Sequence, residues 1–177
     1  METSNQDDSG TGNDEDAGSN ETPTRPSAPT PRADLSDADK KMLLDQHNKW
    51  RAKYKMPPLV WSDTVASVAQ AWANQLASSG SFEHSQGSGY GENLWAGTSG
   101  RFPMTSVVDS WGNEVNDFDL SRNTCAEGKV CGHFTQVVWS KTARLGCGKA
   151  TGADGNEVVV CNYDPPGNSN GESPFGK

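Results

Sequence analysis

The first 34 residues contain no aromatic side chain and no leucine, isoleucine, valine or phenylalanine. A segment without such side chains cannot offset its ordering entropy by burial. Residues 1–34 are therefore expected to form a disordered tail, and residues 35–177 a single folded domain. Eight of the acids and only two arginines lie in the tail, so six of the eight net negative charges belong to it. The acidic pI of about 4.8 thus describes the tail rather than a charged binding face, and it gives no sign of nucleic-acid binding. Thr22–Pro31, "TPTRPSAPTP", is similar to the O-glycosylated stalks of secreted proteins, and Asn20-Glu21-Thr22 is an N-glycosylation sequon. The stalk-like composition favours a fungal over a plant source.

No stretch reaches the roughly 18 apolar residues of a membrane span. No secretory leader follows Met1, as expected of a chain that starts after a removed signal, with Met1 supplied for expression. The four cysteines, Cys125, Cys131, Cys147 and Cys161, have no C-x2-C spacing, which argues against zinc held by thiolates. An even number in loop-rich surroundings suggests two disulfides and an oxidising compartment. Of the three pairings that four cysteines allow, position along the chain favours Cys125–Cys131 and Cys147–Cys161. Without a heptad pattern, a monomer is expected.

Ser36 followed by Asp39 reads as a capping box opening a helix, with Leu43, His47, Trp50 and Tyr54 on one face and Met56-Pro57-Pro58 as its stop. A second helix carries an apolar stripe of Val65, Val68, Ala69, Trp72 and Leu76 and ends at Gly80. The glycine-rich Glu83–Trp95, "EHSQGSGYGENLW", reads as a loop. A third helix begins near Pro103 and turns Val107, Val108, Trp111, Val115 and Phe118 to the core. "GHFTQVVWS" is an apolar run of undecided type, and "RLGCGKA" and "NEVVVCNY" read as two strands around "TGADG". Helices first and a hairpin last make the fold class α+β. Most of the six tryptophans, all between Trp50 and Trp139, are expected in the core.

His47, on a buried stripe, reads as a structural histidine. His84 and His133 have glycine neighbours that let a side chain be presented. With Glu92 and Glu114 they make two imidazoles and two carboxylates, enough for a divalent cation, although residue types alone are a weak signal.

"GENLW", "GHFTQVVWSKTARLGCG" and "CNYDPPGN", with "HNKWRAKYKMPPLVW" upstream, resemble the signature motifs of the CAP superfamily. That family comprises cysteine-rich secretory proteins, antigen 5 allergens and the first class of pathogenesis-related proteins. The resemblance runs from about Leu35 to Phe175. It implies an α-β-α sandwich with a central cleft lined by His84, Glu92, Glu114 and His133. Plant members carry a further cysteine pair, and the matching places hold residues such as Gly80 and Thr151 here. A lost bridge costs roughly 2–4 kcal/mol and leaves the His84 loop with one tether fewer.

The resemblance implies a secreted protein whose role is binding a sterol or another small lipid in a defence or host–microbe setting. Phe102 and Met104 are the residues expected to be exposed for that ligand, while Leu94 and Trp95 are expected to close the core. Zinc or magnesium is expected in the cleft under some conditions without being essential. A metal-dependent hydrolase is the less favoured alternative, because four groups would have to supply ligands, base and supporting shell together. A third reading makes Pro165–Lys177 a loosely held segment, released as a signalling peptide.

Overall fold

The computed structural model describes residues 35–176; the tail, its sequon and Lys177 lie outside the described residues. Helix α1 spans Asp37–Lys53 and opens with the expected capping box. Ser36 Oγ accepts the Asp39 N–H at 3.1 Å, and the Asp39 carboxylate accepts the Ser36 N–H at 3.3 Å. A two-residue strand β1, Val60–Trp61, leads into α2, Asp63–Ser79, which Ser62 caps and Gly80 ends in the left-handed conformation at φ 69°.

The buried face of α2 differs from the expected stripe. Val65, Ala66, Ala69, Ala73, Leu76 and Ala77 are buried, whereas Val68 is exposed and Trp72 only half-buried. The cause lies in the sheet beneath. A Cβ on Gly146 would sit 2.1 Å from Ala66 N, and one on Gly148 would sit 2.3 Å from Gln70 Cα. The helix backbone lies directly on the strand, and at that distance alanines fit where larger side chains do not.

Strand β2 spans Gly91–Thr98, so the second half of the stretch read as a loop is a strand, and residues 81–90 precede it. Its glycines hide it in the sequence, but they are packing requirements. A Cβ on Gly91 would meet Gln136 Oε1 at 2.1 Å, and one on Gly97 would meet the Trp95 ring at 2.3 Å. Helix α3, Met104–Gly112, follows Pro103 and buries Val107, Val108 and Trp111 as expected. Val115 and Phe118 lie past its end, in a 3-10 turn (Asn113–Asp117) and strand β3 (Phe118–Asp119), half-buried against the core. Met104 corrects an expectation: it is 3% exposed. From the first turn of α3 its side chain falls on the same face as Val107 and Val108.

Strand β4, Thr124–Cys125, pairs with β3. The undecided run forms helix α4, Gly132–Val137. The predicted hairpin is β5, Arg144–Thr151, with β6, Asn156–Asp164. The main sheet has the order β1-β5-β6-β2, with β1 parallel to β5 and the other pairs antiparallel. Helix α2 covers one face; α1, α3 and α4 pack on the other side. This is the expected α-β-α sandwich, with one apolar cluster on each side of the sheet. Both disulfides have the expected pairing, and Cys147–Cys161 links directly opposed residues of β5 and β6. Trp50, Trp111 and Trp139 are buried, and the other three tryptophans are half-buried.

Edge strand β2 has one carbonyl, Leu94 O, that accepts the Trp111 indole N–H at 3.1 Å. The C-terminal segment is not loosely held over its described residues. Gly167 N–H donates to Gln136 Oε1 (3.0 Å), Asn168 Nδ2 to Gly132 O (2.9 Å) and Ser140 N–H to Pro174 O (2.7 Å).

Two polar groups lie inside the α1 layer. Arg51 is fully buried, and its guanidinium donates to four backbone carbonyls: Pro57, Val137, Trp139 and Thr142, at 2.6–3.1 Å. Burial pushes its pKa down to about 10, with Tyr163 acting in the opposite direction, so it stays charged at neutral pH. His47 is fully buried as a structural group: Nδ1 bonds Leu43 O at 2.7 Å and Nε2 bonds the Tyr163 hydroxyl at 2.8 Å. Burial pushes its pKa down from 6.5 to about 4, helped by the Arg51 charge. Between those two values protons bind the unfolded chain and not the native one, so stability falls as the pH falls. The neutral form therefore contributes about 3 kcal/mol that is complete above pH 6.5 and is lost towards pH 4. Urea unfolding at pH 7 and at pH 4.5 tests this: the drop between the two should be smaller by about 2 kcal/mol in His47→Gln.

Candidate functional site

The site is built from two histidine–glutamate pairs. The first lies where residues 81–90 return to β2. Gly87 and Gly89 take positive φ (73° and 76°), letting the chain fold back on the strand. Glu92 shares a sheet face with Leu94, and its side chain is only 6% exposed. Its Oε1 accepts from His84 Nδ1 at 2.8 Å and from the Ser85 N–H at 3.0 Å; Oε2 accepts the Ser85 hydroxyl at 2.6 Å. One carboxylate thus holds the loop and fixes the ring. The loop is also held by the Trp72 indole, which donates to Glu83 O at 3.1 Å.

The second pair stands at the start of α4. Glu114, from the 3-10 turn, accepts the His133 and Phe134 N–H groups on Oε2 at 2.9 and 3.1 Å, and His133 Nδ1 on Oε1 at 2.6 Å. Cys131, at the N-cap position, supplies no side-chain bond, so Glu114 caps the helix from outside it. The His133 ring stacks on Trp111 with 6.3 Å between centroids and 15° between planes.

An ionised carboxylate only accepts hydrogen bonds. In the neutral ring, each imidazole therefore carries its proton on Nδ1, and Nε2 keeps its lone pair. This is the arrangement in which a carboxylate orients a histidine as a ligand.

A buried relay joins the pairs to the core. Asn93, next to Glu92 and 2% exposed, donates to His133 O at 3.2 Å and to the Tyr163 hydroxyl at 3.0 Å. With His47 Nδ1 donating to Leu43 O, the Tyr163 hydroxyl donates to His47 Nε2, and every member has one direction. Burial raises the Tyr163 pKa well above its ordinary value, keeping the hydroxyl protonated. Sequence reading missed Asn93 and Tyr163 as functional, although both stand inside the quoted motifs "GENLW" and "CNYDPPGN".

The four predicted cleft residues are thus organised as two carboxylate-held imidazoles. Among the described residues, no group of three or more His, Cys, Asp or Glu is placed to hold a metal ion. Of the predicted lipid contacts, Phe102 is 41% exposed and stands edge-on to Trp95, with 5.4 Å between centroids and 74° between planes.

The sequence profile of the CAP (cysteine-rich secretory protein) family matches residues 44–163. The chain belongs to this family. It is 48% identical over 144 residues to pathogenesis-related protein 1A of Nicotiana tabacum, covering 81% of this chain and 83% of the relative. It is 46% identical over 132 residues to pathogenesis-related protein 1C of the same plant, covering 75% and 78%. The solved structure of BmVAL-1 superposes with a TM-score of 0.68 at 29% identity, covering 79% of this chain and 82% of that one. Both named relatives are plant proteins, so they give the fungal expectation no support.

In this CAP protein the Glu114 carboxylate carries two roles that one substitution separates from size. Glu114→Gln removes the charge facing the α4 N-terminus and should cost about 1 kcal/mol in urea unfolding. In nitrogen NMR of the neutral rings, His84 and His133 of the parent chain should both show the Nδ1–H tautomer. The substitution should release that preference at His133 alone.

Proposed function

We propose that this chain is a secreted, defence-related CAP protein that binds a sterol or another small lipid without chemical turnover. Family membership and the pathogenesis-related relatives support the defence setting. Two disulfides, and the family itself, support an extracellular location. The observation that carries the binding reading is the exposed Phe102 ring edge-on to half-buried Trp95, beside the edge strand. Such a pair offers a flat apolar contact for a rigid ring system. The carboxylates at the histidines already accept three donors each, N–H groups at Glu114 and two N–H groups and one hydroxyl at Glu92. That favours a holding role for them over proton abstraction.

Equilibrium binding of radiolabelled cholesterol or ergosterol tests the reading. Saturable binding is expected, weakened about tenfold in Phe102→Ala with an unchanged melting curve. An absence of saturable binding by the parent chain overturns it, and equal binding by the mutant removes the Trp95–Phe102 ridge from it.

A second reading concerns a divalent cation. The Nδ1-held rings of His84 and His133 fit it chemically, since each keeps Nε2 for ligation, and zinc or magnesium would polarise a bound water or carbonyl. Among the described residues no three such donors are grouped, so a bound ion would keep water ligands. Zinc affinity by titration calorimetry should weaken as the pH falls, because a protonated imidazole cannot ligate. It should disappear in the His84→Ala/His133→Ala double variant. Affinity flat from about pH 5 to 8 counts against histidine ligation.

A further inference from the structure

One sizeable cavity is remote from the histidines. It has a volume of about 580 Å³ and lies between the end of α1, the turn between β3 and β4, and the C-terminal segment. Tyr54, Met56, Leu120 and Phe175 give it an apolar wall, and Lys55 and Asn123 also line it. The size falls within the roughly 300–1,000 Å³ of small-molecule sites. The Tyr54 and Phe175 rings lie 5.9 Å apart, and Phe118 stands edge-on behind Phe175 at 6.5 Å. Leu120 leaves 49% of its surface open to solvent.

The backbone at Lys55 is the unusual feature. Met56 N–H donates to Arg51 O at 3.0 Å and Lys55 N–H to Ala52 O at 3.1 Å. This closes α1 with the two-bond motif whose left-handed position is normally glycine. Here it is Lys55, at φ 60°. A side chain at that φ is strained relative to glycine, and a strained residue of this kind points towards function rather than stability.

The charge at this position is also unmatched. Lys40, Lys41, Lys129, Lys141 and Lys149 each pair with a carboxylate; Lys49, Lys53 and Lys55 have none within 4.0 Å among the described residues, and of these three only Lys55 lines the cavity. The acids nearest in sequence to the other two walls are occupied: Asp119 accepts from Ser121 and Arg122, and Glu172 pairs with Lys141.

We propose that this cavity binds a small aromatic anion, its ring against Tyr54, Leu120 and Phe175 and its charged group on the Lys55 amine. Flat aromatic walls favour offset or edge-on contact with an aromatic body. Among the described residues the mouth carries one positive charge without a carboxylate partner, that of Lys55, which selects an anionic head. The site is independent of the Phe102 ridge, so the lipid reading and this one stand or fall separately.

The test is titration of the full chain with 2-naphthoate and, separately, with neutral 2-naphthalenemethanol, followed by amide NMR. Saturating shifts are expected at Met56, Ser121 and Phe175, with the acid binding at least fivefold tighter than the alcohol. Lys55→Gly should abolish that preference while melting at the same or a higher temperature, because it removes the left-handed strain. Leu120→Asn should weaken both compounds. The proposal is overturned by any of three results: no saturable shift up to millimolar acid, equal affinity for acid and alcohol in the parent chain, or an undiminished acid preference in Lys55→Gly.

Discussion

The buried guanidinium of Arg51 is the constraint on which the cleft side of the sandwich depends. Among the described residues it pairs with no carboxylate; four carbonyl oxygens from the Pro57 turn, the end of α4 and the segment that follows surround it instead. A buried charge demands such a shell, and its loss would strand the carbonyls as well. Helix α4 has only six residues and could not persist alone. Arg51 holds its last carbonyl, Val137 O, and that of Trp139 just past its end, while Glu114 gathers its N-terminal N–H groups. The helix dipole thus runs between two fixed opposite charges, and His133 rides on its first turn.

The two histidine–glutamate pairs follow one principle in different settings. In each, a carboxylate binds backbone N–H and imidazole N–H together, so placing the segment and placing the ring are a single event. The directed bonds from Asn93 through Tyr163 to His47 then tie the edge strand to α1. The tautomers, the loop and the α1 packing are therefore consequences of a shared network rather than separate adjustments. That network is costly to disturb at any member, because each donor has a designated acceptor.

Much of this was legible in the sequence where the cause is local. The capping box at Ser36, the stop at Gly80, the β5–β6 hairpin and the local disulfides depend on residues a few positions apart. Motif resemblance supplied His84, Glu92, Glu114 and His133, which spacing alone supported only weakly. The misses have non-local causes. Strand β2 looked like a loop because its glycines answer to Gln136 and to the Trp95 ring. The α2 face was misread because Gly146 and Gly148 admit only small side chains. No local signal marks Arg51 as buried, because most of its carbonyl partners come from far along the chain, and Met104 reads as exposed until α3 is turned.

Edge strands are a hazard, since a row of free N–H and C=O groups invites pairing with another molecule. Here β2 lies at the margin of the sheet, and the Trp111 indole already holds its Leu94 carbonyl. The same ring supports His133 from beneath. One tryptophan therefore occupies a carbonyl of the exposed edge while its ring stacks on His133, so covering the edge and supporting the ring fall to the same side chain.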